Sequence, residues 1–245
     1  MCTVTLISHH DGYRLACNRD ELKSRPLAEL PKILSAGSTR CIAPIDPAGG
    51  GTWIAVNEHG VVVTILNLNL REAPPLAPKS RGELVMRAIE GNSASDSIGL
   101  LRAVDPKDYR PFRLVVFSAD GTGAVMRSSG QDLTTEYFAH EDLPFFMTSS
   151  GLGDHFVEGP RRELFNREFG LKAADQDVFH AHRWVDRPEL SVNMDRADAA
   201  TVSYTVVEVS SEGAVLRYHP GSPMADAETV VKHLGSSFES PGALM

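Results

Sequence analysis

Cys2 is the residue of this chain best placed for nucleophilic chemistry, because only Met1 precedes it. Removing Met1 leaves a cysteine that carries a thiol and a free α-amine together. The amine titrates between about 7.7 and 8.0 and a thiol near about 8.5, so the amine can take the thiol proton at neutral pH without a histidine. That pairing is suited to acyl transfer. The polar cluster Asn18-Arg19-Asp20-Glu21 follows after two short apolar runs. Asp20 can anchor the ammonium form of the terminus, and Arg19 can favour the thiolate or orient a substrate carbonyl. The competing reading of residues 18–21 is a solvated turn at a hairpin end, where Asn and Asp are common.

Two strands position these groups. Residues 3–8 and 13–17 read as strands around the turn dipeptide Asp11-Gly12,. The antiparallel return brings residues 18–21, just past the second strand, back to Cys2. Residues 22–50 carry Pro26, Pro31, Pro44 and Pro47 with little periodicity, so an irregular connection is expected there,. A second pair is expected over 52–56 and 61–66 around Asn57-Glu58-His59-Gly60,. The near-continuous apolar character of 61–66 predicts a strand covered on both faces, and therefore layers outside its sheet,.

Further on, Ser80 with Glu83 predicts a capped helix, and a second helix is expected over 94–104,. Strands are expected at 112–118, 123–127 and 145–148, helices from Pro160 to about 169 and over 173–185, strands at 201–209 and 214–218, and a last helix over 225–233,. Strands and helices come in blocks joined by hairpins. That order predicts a mostly antiparallel α+β architecture in one domain spanning 1–245.

The formal net charge of −8 excludes a nucleic-acid backbone or an anionic membrane as the main partner, since both need a basic face,. No apolar run reaches the roughly 18 residues of a membrane span, and the start lacks a signal-peptide pattern, so a cytoplasmic location is expected. The three cysteines, Cys2, Cys17 and Cys41, fit no metal-ligand spacing; reduced thiols are expected, with Cys17 and Cys41 as inert buried residues,. His180 and His182 do not share a helix face, which makes them a poor ligand pair. No metal and no cofactor is expected; the glycines 49–51 do not form a nucleotide loop,.

The Met-Cys-Thr start with Asn18-Arg19-Asp20-Glu21, Arg25-Pro26, Asp46 before Gly50-Gly51-Thr52-Trp53, and Ser80-Arg81-Gly82-Glu83-Leu84 resembles the NRDE family, also called the transport and Golgi organisation 2 family. That family is similar to N-terminal nucleophile hydrolases of the choloylglycine hydrolase and penicillin V acylase type. The resemblance implies a four-layer αββα sandwich with Cys2 as nucleophile. It also implies Asn67 as an oxyanion donor, following the Asn57-Glu58-His59-Gly60 turn and its strand. Ser149 stands where those hydrolases carry a second oxyanion asparagine, and Arg196 lies two positions beyond the place of a catalytic-site arginine. Arg19 directly precedes Asp20, whereas the hydrolases space their arginine further from the aspartate. The expected catalytic set is thus Cys2, Arg19, Asp20, Asn67 and Arg196, with Asn18 and Ser149 touching substrate. The implied reaction is hydrolysis of a non-peptide C–N amide bond in a small acylated substrate. The alternative is a carrier or trafficking protein that binds a small hydrophobic or lipid-like ligand without turnover; the sequence leaves the oligomeric state open.

Overall fold

The computed structural model describes residues 2–70, 77–168 and 173–237. Thirteen strands among them form two antiparallel sheets. The first strand, β1 (Cys2–His9), lies between β10 (Phe145–Thr148) and β2 (Gly12–Leu22), and the sheet continues through β11 (Ala199–Ser210), β12 (Gly213–Pro220) and β13 (Val230–Gly235). The second sheet runs in chain order through β3 (Glu29–Ala36), β4 (Thr39–Ile45), β5 (Ile54–Asn57), β6 (Val61–Asn67), β7 (Phe112–Ser118), β8 (Thr122–Ser128) and β9 (Leu133–Ala139).

The sheets face each other across a core that includes Val4, Leu6, Leu15, Tyr13 and Phe117. The Tyr13 ring meets Phe117 edge-on, and its hydroxyl donates to the Gly60 carbonyl at 3.0 Å, so one side chain ties the sheets by both packing and a hydrogen bond,. Helices α1 (Gly82–Ala88) and α2 (Ala94–Leu101) cover the second sheet. Helices α3 (Asp154–Glu168) and α4 (Ala173–Ala181) cover β10, β1 and β2 of the first. This is the αββα order. Residues 61–66 are buried throughout, as a strand covered on both faces must be,.

Several expectations are corrected. The cluster 18–21 lies inside β2, not beyond it, and Asn18, Arg19 and Asp20 are buried rather than solvated. Residues 22–50 are not mainly irregular: β3 and β4 form a hairpin at the edge of the second sheet. Beta-strand β9 was not anticipated, and residues 230–235 pair as a strand with β12 instead of forming a helix. Helix α3 begins at Asp154 and contains Pro160 in its interior. Ser80 does not cap α1; Arg81 holds that position, and the Glu83 carboxylate accepts from the Tyr109 hydroxyl. The end of the 160–169 helix expectation lies outside the described residues at 169.

Two glycines shape the region around residue 2. Gly12 lies against the Val209 carbonyl, where an added Cβ would sit 2.0 Å from the oxygen, so the β1–β2 turn closes tightly onto β11,. Gly51 meets the Gly82 backbone just as closely, with a Cβ 2.4 Å from its carbonyl carbon. The glycine-rich stretch and the start of α1 therefore pack as one unit, which fixes Arg81 beside residues 51–53.

Candidate active site

Register decides what Cys2 meets. Cys2 pairs with Arg19 and Thr3 with Asn18, so the alternation of a strand sends Cys2, Cys17 and Arg19 to one face of the sheet and Thr3, Asn18 and Asp20 to the other,. The first face looks into the sandwich. Cys2 is only 4 % exposed, and its thiol shares a hydrogen bond with that of Cys17. This bond from Cys17 favours the Cys2 thiolate and lowers its pKa, with burial and Asp20 opposing and Arg19 assisting,. Cys17 carries the opposite shift and stays protonated well above the usual thiol range. Cys41, without such a partner, is pushed up to about 11 by burial.

Arg19 stacks its guanidinium over the Trp53 ring at 4.1 Å and reaches Asp46 at 3.1 Å,. Asp46 also receives Arg25 at 2.7 Å. Together with Cys2, Asn67, Arg81 and Arg110, these residues line a cavity of about 290 Å³. Asn67, Arg81 and Arg110 also border an adjoining groove of about 490 Å³, whose walls include Leu68, Leu70, Leu152 and Phe156. Burial and the neighbouring Arg110 lower Arg81 to about 10, with the Cys2 thiol and Glu21 pulling the other way.

The opposite face is a clamp. Arg161, 1 % exposed, donates from Nη1 to Thr3 Oγ1 at 2.9 Å and to Thr148 Oγ1 at 2.7 Å, and from Nε and Nη2 to the carbonyls of Leu190 and Ser191. Asn18 donates to the carbonyls of His180 and Val192, both at 2.9 Å, and its Oδ1 faces His180 Nδ1 at 3.1 Å. With Asn18 Oδ1 free only to accept, Nδ1 carries the ring proton of a neutral His180. Burial, with Arg14 and Arg161 nearby, presses the His180 pKa to about 3. Asp20 accepts from the Thr201 hydroxyl at 2.7 Å. Its pKa is raised by burial and drawn back by Arg161 and Thr201.

The backbone of Cys2 is seated by β10. Cys2 N–H donates to Ser149 Oγ at 2.9 Å, and Ser149 N–H donates to the Cys2 carbonyl at 2.8 Å. A buried ion pair joins that strand end to the end of β6: Arg113 Nη2 donates to Asp154 and to Thr148 O, each at 2.7 Å, and to Asn67 O at 3.3 Å. Asp154 in turn accepts from Ser150 N and from Asn69. Asn67 and Ser149 are thus held in a fixed relation by two side chains that touch neither the cavity nor Cys2.

The profile of the Transport and Golgi organisation 2 family matches residues 1–153. The chain belongs to this family. A search of curated proteins gave no match. Among solved structures, the chain is similar to penicillin V acylase from Agrobacterium tumefaciens, with 11% identity, a TM-score of 0.57, and coverage of 95% of this chain and 86% of that one. It is similar to a variant of conjugated bile acid hydrolase from Clostridium perfringens, with 9% identity, a TM-score of 0.58, and coverage of 95% and 92%. It also resembles the Caenorhabditis elegans orthologue of N-acylethanolamine-hydrolyzing acid amidase, with 10% identity, a TM-score of 0.58, and coverage of 84% and 92%. The fold is that of the N-terminal nucleophile hydrolases.

In this member of the Transport and Golgi organisation 2 family, three of the expected site residues, Cys2, Arg19 and Asn67, share the cavity. Asn18 and Asp20 face away from it, Ser149 uses its hydroxyl on the Cys2 backbone, and Arg196 pairs with Asp198 at 3.2 Å. Arg196 still contributes a positive charge that lowers Asp20. Sequence reasoning missed Cys17, Arg81, Arg110, Arg113, Asp154 and Arg161. Cys17 stands diagonally across from Cys2 because the turn falls at His10-Asp11, one residue before the expected Asp11-Gly12, and this pairs Cys2 with Arg19,. His180 serves the clamp, bonding Thr5 Oγ1 at 2.8 Å through Nε2. Among the described residues, no three His, Cys, Asp or Glu side chains group as a metal site. No helix among them is long and apolar enough to cross a membrane.

Proposed function

We propose that this protein is an amidohydrolase that acts on a non-peptide C–N bond of a small acylated substrate, with Cys2 exposed as the N-terminus by removal of Met1. The observation that carries this reading is the Cys2 thiol, lowered in pKa by Cys17 and opening on a cavity shared with Asn67. The α-amine accepts the thiol proton as sulfur attacks the carbonyl carbon, and the C–O π electrons move to oxygen. Asn67 donates to that oxyanion, and a preorganised donor in a water-poor site favours the tetrahedral state. Collapse breaks the C–N bond, the ammonium returns its proton to the leaving amine, and a thioester remains on Cys2. Water, deprotonated by the same amine, attacks the thioester and releases the acid, which restores the thiol. Asp20 with Thr201, set beside the start of β1, stabilises the ammonium form.

The test is an intact mass of the mature chain, followed by incubation of wild type and Cys2→Ala with a panel of N-acyl amides. A mass lacking Met1, turnover by wild type and none by Cys2→Ala are expected. Retained Met1, or equal turnover by the two proteins, would sink the proposal. The exposed apolar side chains Leu70, Leu152 and Phe156 along the groove favour a second reading, a carrier for a lipid-like ligand. Ligand binding without turnover by the processed wild type would select it.

A further inference from the structure

The chain carries a formal net charge of −8, yet the Cys2 cavity is lined by Arg19, Arg25, Arg81 and Arg110 against only two carboxylates, Glu21 and Asp46. Those carboxylates are already engaged. Asp46 takes both Arg19 and Arg25, and Glu21 lies 3.8 Å from Arg19 and 3.6 Å from Arg25. Arg81 and Arg110 are left with no carboxylate partner among the described residues; Arg81 Nη1 donates to the Pro111 carbonyl at 2.9 Å. Two like-charged side chains thus line the same cavity, with Arg110 near enough to help burial lower the Arg81 pKa. Both border the cavity and the apolar groove, so they stand where the two spaces meet.

We infer that Arg81 and Arg110 form the seat of an anionic group, a carboxylate or a phosphate, borne by the substrate close to its scissile carbonyl, with its hydrocarbon part in the groove walled by Leu68, Leu152 and Phe156. An anion between them removes their mutual repulsion and supplies the planar acceptor oxygens that guanidinium groups bind in pairs. The cavity is small and partly enclosed by protein, which weakens solvent screening of the interaction. An electropositive site on an otherwise acidic surface also draws anionic ligands selectively inward. The substrate class is therefore an acylated amine carrying an acid group. This inference rests on the amidohydrolase reading for the word substrate, but the seat itself does not depend on turnover.

The experiment separates the two. Calorimetric titrations of the processed Cys2→Ala protein use three matched ligands: N-dodecanoylethanolamine, which is neutral, N-dodecanoylglycine, and N-dodecanoyl-O-phosphoethanolamine. At least one anionic ligand is expected to bind about tenfold or more tightly than the neutral one, and the better of the two identifies the anion. Adding Arg110→Gln, at an exposed side chain, should remove most of that preference and leave the neutral ligand unaffected. Arg81→Lys keeps the charge but loses the fork, and tests the inner position without emptying it; a partial loss is expected. Equal affinity for all three ligands, no binding of any, or a preference that survives Arg81→Lys combined with Arg110→Gln would overturn the seat. Turnover of the same ligands by wild type is read alongside. An anion preference without turnover keeps the seat and ends the hydrolase reading, whereas turnover without preference does the reverse.

Discussion

The two faces of the β1–β2 ribbon differ in what they leave available. The inward face presents Cys2 and Arg19 to a cavity, with Cys17 buried beside Cys2. The outward face buries Thr3, Asn18 and Asp20 under α3, α4 and the segment before β11, where each of the three side chains has a hydrogen-bond partner. A four-residue motif that looks like a single cluster is divided by the two-residue period of a strand. Chemistry and architecture are interleaved residue by residue, so neighbouring substitutions should have effects of different kinds.

Cys2→Ala should give the largest effect, a loss of turnover of about a thousandfold or more with the fold intact, as expected when a nucleophile is removed. Steady-state assays beside a thermal melt check it, and a melt shifted as far as the activity would place Cys2 among the structural residues. On the other face, Arg161→Leu should cost about 3–5 kcal/mol, because it strips two threonine hydroxyls and two carbonyls of a donor and leaves Asp20 without its nearby charge,. Urea unfolding measures this, and a change below about 1 kcal/mol would remove the distinction between the faces.

His180 sharpens the contrast through pH. Its folded pKa of about 3 lies below the unfolded value of about 6.5,. The stability it contributes is therefore complete above pH 6.5 and falls by up to about 1.4 kcal/mol per pH unit as the pH drops through that window toward 3. His180→Gln should flatten the slope of unfolding free energy between pH 6.5 and 4.5 relative to wild type; an unchanged slope would assign it to other groups. The smallest effect belongs to Cys17→Ala. Loss of its hydrogen bond should raise the Cys2 pKa and slow alkylation of Cys2 at neutral pH by a few-fold, about what one weak thiol donor supplies,. The alkylation rate against pH should shift to the alkaline side, and a shift to the acid side would contradict the role given to Cys17.

Much of the fold was legible because its signals are local. The near-continuous apolar run 61–66 announced a covered strand, and Asp11-Gly12 announced a hairpin, although its turn lies one residue earlier, at His10-Asp11, with Gly12 already in β2 opposite His9. The irregular reading of 22–50 failed because β3 is a mostly exposed edge strand without an alternating apolar face, and its Pro31 lies in a part of the ladder where the register shifts,. The helix expected at 225–233 failed because the β-branched Val230 and Val231 gain more from pairing with β12 than from a helical turn,. For the site, Cys2 could be singled out from its position, but its setting could not. The polar cluster 18–21 is tolerable inside a strand only because Arg161, His180, Val192 and Thr201 arrive from far along the chain to satisfy it,. Arg81 stood within a motif that could be recognised, yet its lack of a carboxylate partner is visible only once residues 51 and 82 are seen in contact.

The bond between Cys2 and Ser149 spans 147 positions. At a synthesis rate of about 5–20 residues per second, the ribosome needs on the order of ten seconds or more to make the residue that seats the second one. Until then β1 lacks one of its two neighbours in the sheet, and the beginning of the chain stays open to processing enzymes. On the proposed reading the order of manufacture sets a deadline: trimming of the terminus has to finish before the edge strand docks and Cys2 is enclosed.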